Sequence, residues 1–322
     1  MLNNKYILVG AGAISEQLYL KFFDQKEDAQ VWVLDKNEAR LRELKNKFPR
    51  FEYSNEDFQL VAQRQSFTAG FICLPNFLHA QYINYFVEAK IPVLVEKPVV
   101  INTSAFVAPH VDKSSPVFVA HLRRFFDSSL FIRQIIEQSV FGAVQNVEIS
   151  DGAVFNWNLQ SDYLLNREKS GGGVFMDSGI HWVDFLFSVL GDLQIVDYHD
   201  NNRGGLESEC TVKFNFSSGS GSMRFSRIRN VSRFIKLEME QASLYFSLSE
   251  PDSIRIKLKT YSDIEFNHKI NDNLPNAFSR QIDAFFNEVQ PENKISQPKI
   301  LPSAAEALKP VKFIIKCYES RA

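Results

Sequence analysis

Two hydrophobic rhythms divide this chain. Up to about residue 119, short stretches that are apolar at nearly every position recur: Lys5-Tyr6-Ile7-Leu8-Val9, Val31-Trp32-Val33-Leu34, Ala69-Gly70-Phe71-Ile72-Cys73-Leu74 and Pro92-Val93-Leu94-Val95. Continuous apolar runs of this length, with β-branched members, are buried strands. Helical patterns lie between them, at residues 16–23 and 78–89. Alternating strands and helices predict an α/β half built on a parallel sheet.

Past Val119 the rhythm changes. Residues 131–138 read as an amphipathic helix closed by Phe141-Gly142. Then Val212, Phe214 and Phe216, Ile235, Leu237 and Met239, and Ile254, Ile256 and Leu258 alternate with polar Lys213, Asn215, Lys236, Glu238, Arg255 and Lys257. A period of two marks half-exposed strands of a large, mainly antiparallel sheet. Ser217-Ser218-Gly219-Ser220-Gly221-Ser222 reads as a turn or loop within it. Ser303-Ala304-Ala305-Glu306 has capping-box spacing and starts a final helix, and Pro310 predicts a kink or break in that helix. The proline-punctuated residues 291–302 read as an ordered connection. Two domains result: residues 1–119, and an α+β domain over residues 120–322 whose final helix packs back on the first.

The length of 322 residues suits two domains. A formal net charge of -2 gives no electrostatic case for nucleic acid or an anionic membrane. Cys73, Cys210 and Cys317 are scattered, which fits a reducing compartment and argues against a disulfide framework or a metal site. No apolar run has membrane-spanning length. The first strand starts by Lys5 and leaves no room for a signal peptide, so a cytoplasmic location is expected. The 29 phenylalanines are assigned to core filling and a subunit interface.

Candidate chemistry begins directly after the first strand, at Gly10-Ala11-Gly12-Ala13-Ile14-Ser15. This is the G-x-G-x-x-G pattern with Ser15 in the third place. Gly10 permits a tight turn, and Gly12 leaves room for a pyrophosphate at a helix N-terminus. Asp35 ends the second strand about 20 residues on, where a carboxylate bonds the adenosine ribose hydroxyls. It repels a 2′-phosphate and so favours NAD over NADP; neighbouring Lys36 softens that preference. The first half is therefore expected to be a Rossmann NAD(P)-binding domain. Leu74-Pro75-Asn76 and Glu96-Lys97-Pro98 end two further strands, at the edge where open parallel sheets bind ligands. His79 is either a cofactor contact or a helix-start residue bonded to backbone. In Gly171-Gly172-Gly173-Val174-Phe175-Met176-Asp177-Ser178-Gly179-Ile180-His181-Trp182-Val183-Asp184, a triple glycine able to approach a ligand opens a helix. Asp177, His181 and Asp184 then share one helix face, an arrangement suited to proton transfer.

These motifs, in this order, resemble the Gfo/Idh/MocA family, the glucose–fructose oxidoreductase and inositol dehydrogenase group. The glycine loop resembles its nucleotide loop, Pro75-Asn76-Phe77-Leu78-His79 its P-N-x-x-H segment, and Glu96-Lys97-Pro98 its E-K-P signature. Val119-Ala120-His121-Leu122-Arg123-Arg124-Phe125 resembles its R-R-F/Y segment, and residues 171–184 its glycine-rich D-x-G-x-H segment. The resemblance covers nearly the whole chain. It implies a catalytic trio of Lys97, Asp177 and His181, a cis Lys97–Pro98 peptide and a homo-oligomer assembled through the C-terminal sheet. Leu122 departs from the Asn of many relatives, and Ser15 from the last glycine.

The expected cofactor residues are thus Gly10, Gly12, Ala13, Ile14, Asp35, Lys36, Leu74, Pro75, Asn76, His79, Glu96 and Lys97. Asp177, His181, Arg124 and Trp157 are expected at the substrate, Trp157 otherwise being a core residue. Asp177 is expected to orient His181, and Asp184 either to orient it too or to bond backbone. No metal is expected. The function this predicts is NAD(H)-dependent hydride transfer at a hydroxyl or keto carbon of a sugar, cyclitol or nucleotide-linked sugar. A non-catalytic NAD(H)-binding regulator and a glycoside-cleaving enzyme that holds NAD are the alternatives.

Overall fold

The computed structural model describes residues 4–103, 116–156, 162–203, 205–261, 264–290 and 299–321. Strands β1 (Asn4–Val9), β2 (Ala29–Leu34), β3 (Glu52–Ser54), β4 (Ala69–Ile72), β5 (Val93–Glu96) and β6 (Val117–Ala120) form one sheet in the order β3-β2-β1-β4-β5-β6. Every pair in it is parallel. The apolar runs are continuous because both faces are covered. Tyr6 and Leu8 of β1 enter one core, and Ile7 and Val9 enter the other, as the strand pleat requires. A π-helical turn (Ser15–Leu20) leading into α1 (Lys21–Asp24), then α2 (Glu38–Lys47), α3 (Phe58–Arg64) and α4 (His79–Glu88), make the connections. Strand order reverses between β1 and β4, which opens a crevice at their carboxyl ends.

After α5 (Asp127–Glu137), strands β7 (Val144–Gly152), β8 (Gln194–Asp200), β9 (Glu209–Phe216), β10 (Gly219–Ser226), β11 (Phe234–Met239), β12 (Ala242–Ser247), β13 (Ser253–Leu258) and β14 (Glu265–Lys269) build the second sheet. Its order is β14-β13-β12-β11-β7-β10-β9-β8. The sheet is mixed: β7 and β10 run parallel and the other pairs antiparallel. The period of two holds, since Val212, Phe214, Ile235, Leu237, Ile254 and Ile256 are buried while Lys213, Asn215, Arg255 and Lys257 are exposed. Gly219 to Ser222, expected in a loop, lie instead in β10. Pairing with β7 on one side and β9 on the other overrides their low strand propensity, and only Ser217-Ser218 turn.

The remaining helices are α6 (Arg167–Ser170), α7 (Ile180–Leu190), which follows a π-helical turn (Phe175–Gly179), α8 (Leu274–Val289) and α9 (Ala304–Glu319). Helix α8 returns to the first sheet, where Phe278 meets Tyr19 edge-on and Phe285 meets Phe71. Ser303 caps α9 with the full reciprocal box to Glu306. Of the expected kink or break the break is absent, and α9 continues through Pro310. Burial of Leu308, Pro310, Val311 and Ile314, at roughly 1.5–3 kcal/mol for each large side chain, offsets the missing hydrogen bond. No helix among the described residues is long and apolar enough to cross a membrane.

Arg124 ties the layers together. It lies in a short 3₁₀ turn (Leu122–Phe125) after β6 and donates from Nε and Nη2 to both oxygens of Asp184 in α7, each at 2.7 Å. Its Nη1 reaches the Ile300 carbonyl at 3.1 Å. Both residues are buried. The bidentate fork thus explains Asp184 structurally, and it corrects the placement of Arg124 at the substrate. Arg124→Met leaves a buried carboxylate unpaired and is expected to lower stability by about 3–5 kcal/mol. Urea unfolding should show a lower midpoint, with much of the loss recovered in Arg124→Met/Asp184→Leu; an unchanged midpoint in the single variant contradicts the assignment.

Candidate active site

The crevice at the carboxyl ends of β1, β2, β4 and β5 is a cavity of about 1020 Å³. Gly10, Gly12, Ala13, Ile14, Asp35, Lys36, Leu74, Pro75, Asn76, Glu96 and Lys97 line it. The two loop glycines have different reasons. Gly10 has φ +101°, and a Cβ there would sit 2.3 Å from the Cys73 carbonyl oxygen, so the protein's own turn requires it. Gly12 meets no protein atom within 4 Å of a Cβ position. Its bareness serves the open cavity, which fits a dinucleotide pyrophosphate passing close to the backbone. Ser15 fits the third position by donating to the Gly10 carbonyl at 2.6 Å. Asp35 accepts from the amides of Ala11 at 2.7 Å and Asn37 at 2.8 Å, and its remaining lone pairs suffice for a ribose. Lys36 forms an exposed ion pair with Asp57. Arg40 also lines this end, but its Nε donates to the Ala11 carbonyl and its other nitrogens pair with Glu16 and Glu43.

His79 is not a wall residue of this cavity. It is fully buried, with Nδ1 2.7 Å from the Pro98 carbonyl and Nε2 2.8 Å from the Leu74 carbonyl. Burial pushes its pKa down, against the two carbonyls. It therefore braces two strand ends, the backbone-bonded alternative of the two, and its placement among the cofactor contacts is corrected. Glu96 accepts from the Tyr19 hydroxyl at 2.8 Å, and burial raises its carboxyl above the ordinary range.

At the inner end, Lys97 follows β5 and precedes a cis proline peptide. Its Nζ donates to the Asp177 carbonyl at 2.7 Å and to Asp177 Oδ1 at 3.0 Å. Arg227 donates to Asp177 Oδ2 at 3.3 Å. Burial pushes the Asp177 carboxyl up, yet the charges of Lys97 and then Arg227, with the Lys97 hydrogen bond, hold it below its ordinary value. His181 lines the same wall. Burial first, then the Lys97 charge, pushes its pKa well below the ordinary imidazole range, so the ring is neutral at pH 7. Asp177 was expected to orient His181, but its carboxylate is bonded to Lys97 and Arg227. Asp177 lies within the π-helical winding of Phe175–Gly179, which departs from the four-residue register. Trp157 lies outside the described residues.

The triple glycine serves the protein itself. A Cβ on Gly173 would lie 1.9 Å from the Glu207 carbonyl oxygen. Glu207, buried, accepts from the amides of Gly173 and Phe175 and from the Tyr318 hydroxyl at 2.6 Å. This carboxylate caps the segment that carries Asp177 and His181. The expected ligand approach by these glycines is thereby replaced by close packing.

The chain's relatives share this arrangement of domains. Residues 4–111 match the model of the oxidoreductase family with an NAD-binding Rossmann fold, and residues 130–240 match the GFO/IDH/MocA C-terminal domain. The chain belongs to the Gfo/Idh/MocA oxidoreductase family. An oxidoreductase of Formosa agariphila is 27% identical over 195 residues, 58% of this chain and 60% of that protein. The D-glucoside 3-dehydrogenase of Escherichia coli is 22% identical over 63% of this chain and 59% of its own length. These alignments span about three-fifths of each relative's length. Among solved structures, a levoglucosan dehydrogenase in complex with NADH and L-sorbose superimposes with a TM-score of 0.85 at 17% identity, covering 99% of this chain and 97% of that one.

Three wall residues carry no motif and were missed in the sequence: Asp151, Arg227 and Arg233 line the cavity. A smaller cavity of about 260 Å³ shares Lys97, Asp151, Asp177, Ser178 and His181 with the large one and adds Arg123 and Trp182. Of the adjacent Arg123 and Arg124, it is Arg123 that faces the site. Behind His181 stands His121, fully buried, the two rings edge-to-face at 6.4 Å.

Burial holds the pKa of His121 well below the ordinary 6.5. The unfolded chain takes up a proton there as pH falls below about 6.5 while the folded protein does not, so stability falls with pH in that window, by at most about 1.4 kcal/mol per pH unit per group. His121→Phe is expected to flatten the decline between pH 7 and 5, measured by urea unfolding. A slope identical to that of the parent protein contradicts the assignment.

Proposed function

We propose that this protein is an NAD(H)-dependent oxidoreductase that transfers a hydride at a hydroxyl or keto carbon of a sugar, a cyclitol or a nucleotide-linked sugar. One observation carries the reading: the dinucleotide crevice runs without interruption to Lys97, Asp177 and His181. The sugar-acting relatives support the substrate class. NAD, when bound, supplies the hydride acceptor. Gly10 to Ile14 would hold its pyrophosphate and Asp35 its adenosine ribose, with Pro75, Asn76 and Glu96 toward its nicotinamide end. A carboxylate at Asp35 repels a 2′-phosphate and favours NAD.

In the oxidative direction, neutral His181 takes the hydroxyl proton of the substrate at a ring nitrogen. The ammonium of Lys97 lies beside the developing alkoxide and stabilises it by charge and hydrogen bonding. Asp177, held between Lys97 and Arg227, fixes where that ammonium points. Low solvent access strengthens each of these interactions. In the reductive direction, protonated His181 returns the proton to the carbonyl oxygen.

The test is a fluorescence titration of the purified protein with NADH and NADPH, followed by an absorbance screen for NADH formation with polyols and sugars. Tighter NADH binding and turnover on one substrate class are expected. Lys97→Ala and His181→Ala should each lower kcat by about 10²–10⁴ while NADH binding persists. Asp35→Ala should weaken NADH binding and narrow the gap to NADPH. Binding with no turnover would favour a regulator, and sugar release without net NADH formation would favour glycoside cleavage through transient oxidation.

A further inference from the structure

Four cationic side chains wall the substrate end of the cavity, and three have carboxylate partners. Lys97 and Arg227 share Asp177. Arg233 donates from Nε to Asp151 Oδ1 at 2.8 Å, and the other Asp151 oxygen accepts from Trp182 Nε1 at 2.9 Å. Arg123 is the exception. Its guanidinium lies 4.1 Å from the centre of the Trp182 ring, and one nitrogen reaches Ser128 Oγ at 3.4 Å. Its buried Nε has no hydrogen-bond partner, and it makes no ion pair among the described residues. The charges of Asp272 and Asp151 act on it without a hydrogen bond or ion pair, and Asp272 is already occupied by the amide and hydroxyl of Ser128 at 2.8 and 2.5 Å. Burial pushes the guanidinium down to about 10.

Arg123 is half-buried with its Nε wholly buried, and a charge drawn out of water in this way is retained where something neutralises it. Stacking on Trp182 fixes the guanidinium plane and leaves its in-plane N–H edge to bind an anion in the manner of an arginine fork. We propose that Arg123, in the small cavity beside Trp182, receives an anionic group, carboxylate or phosphate, carried by a polyhydroxylated substrate. The inference rests on the dehydrogenase reading and narrows its substrate class. Lys97 and His181 line the same small cavity, so the anion and the reacting carbon belong to one compact molecule. A neutral polyol would leave Arg123 without a directly paired anion.

The experiment is calorimetric titration of the protein–NADH complex with four probes: D-glucuronate, D-glucose 6-phosphate, D-glucose and myo-inositol. At least one anionic probe is expected to bind about tenfold or more tightly than either neutral one, with affinity falling as salt rises. The glucuronate and phosphate arms tell which anion the site takes. Arg123→Gln should abolish the preference while NADH affinity is unchanged, and Arg123→Lys should restore only part of it. Equal or weaker binding of both anionic probes to the parent protein overturns the proposal, as does a preference that persists in Arg123→Gln. The parent comparison decides even if a variant fails to fold. Failure of NADH itself to bind would sink the dehydrogenase reading, whereas NADH binding with turnover of neutral polyols alone sinks only the anion.

Discussion

The contact between Lys97 and Asp177 is the joint on which the site depends. Lys97 ends a strand of the parallel sheet, and Asp177 sits in the π-helical turn that starts α7 on the other side of the crevice. Two hydrogen bonds from one ammonium, to the carbonyl and the carboxylate of the same residue, join the two halves of the site. The carboxylate also receives Arg227 and so stays charged in a place where burial alone would neutralise it. The same Lys97 charge helps keep His181 unprotonated. One contact therefore joins the two sides of the crevice and, beside burial, biases the ionisation of Asp177 and His181.

Around this joint, buried charge is divided by role. Arg124 and Asp184 form a buried bidentate pair that braces β6 against α7. Glu207 is consumed by two backbone amides and a tyrosine hydroxyl, which anchors the segment carrying Asp177 and His181. Arg123, one residue before Arg124, is stacked but unpaired. Groups whose hydrogen-bonding capacity is exhausted by the protein hold the fold together, and those with capacity left over line the cavity. This difference separates two arginines that are adjacent in the sequence.

Some of this was legible in the order of residues. Apolar runs covered on both faces, the G-x-G turn ending one of them and the acid ending the next are consequences of local spacing. They marked the Rossmann half, Gly10, Gly12 and Asp35 correctly as parts of one crevice. The period of two marked the second sheet for the same reason, because alternate side chains of any strand face opposite sides. Other readings failed where a distant partner decided. His79 was bound by carbonyls of Leu74 and Pro98, residues 219–222 were drawn into a strand by neighbours on both sides, and α9 was carried through Pro310 by its buried face.

By itself, then, the sequence determined the alternating strands and helices of the Rossmann half, the period of two in the second sheet, where the nucleotide loop lies and which family the chain resembles, since those depend on periodicity and short spacings. Only the tertiary structure decided the assignment of polar groups. Gly173 is bare because the Glu207 carbonyl lies against it, Asp177 turns to Lys97 across 80 positions of chain, and Arg123 rather than Arg124 faces the cavity. Each outcome depends on what a side chain meets after folding, and no local pattern encodes the partner of a hydrogen bond that spans two sheets.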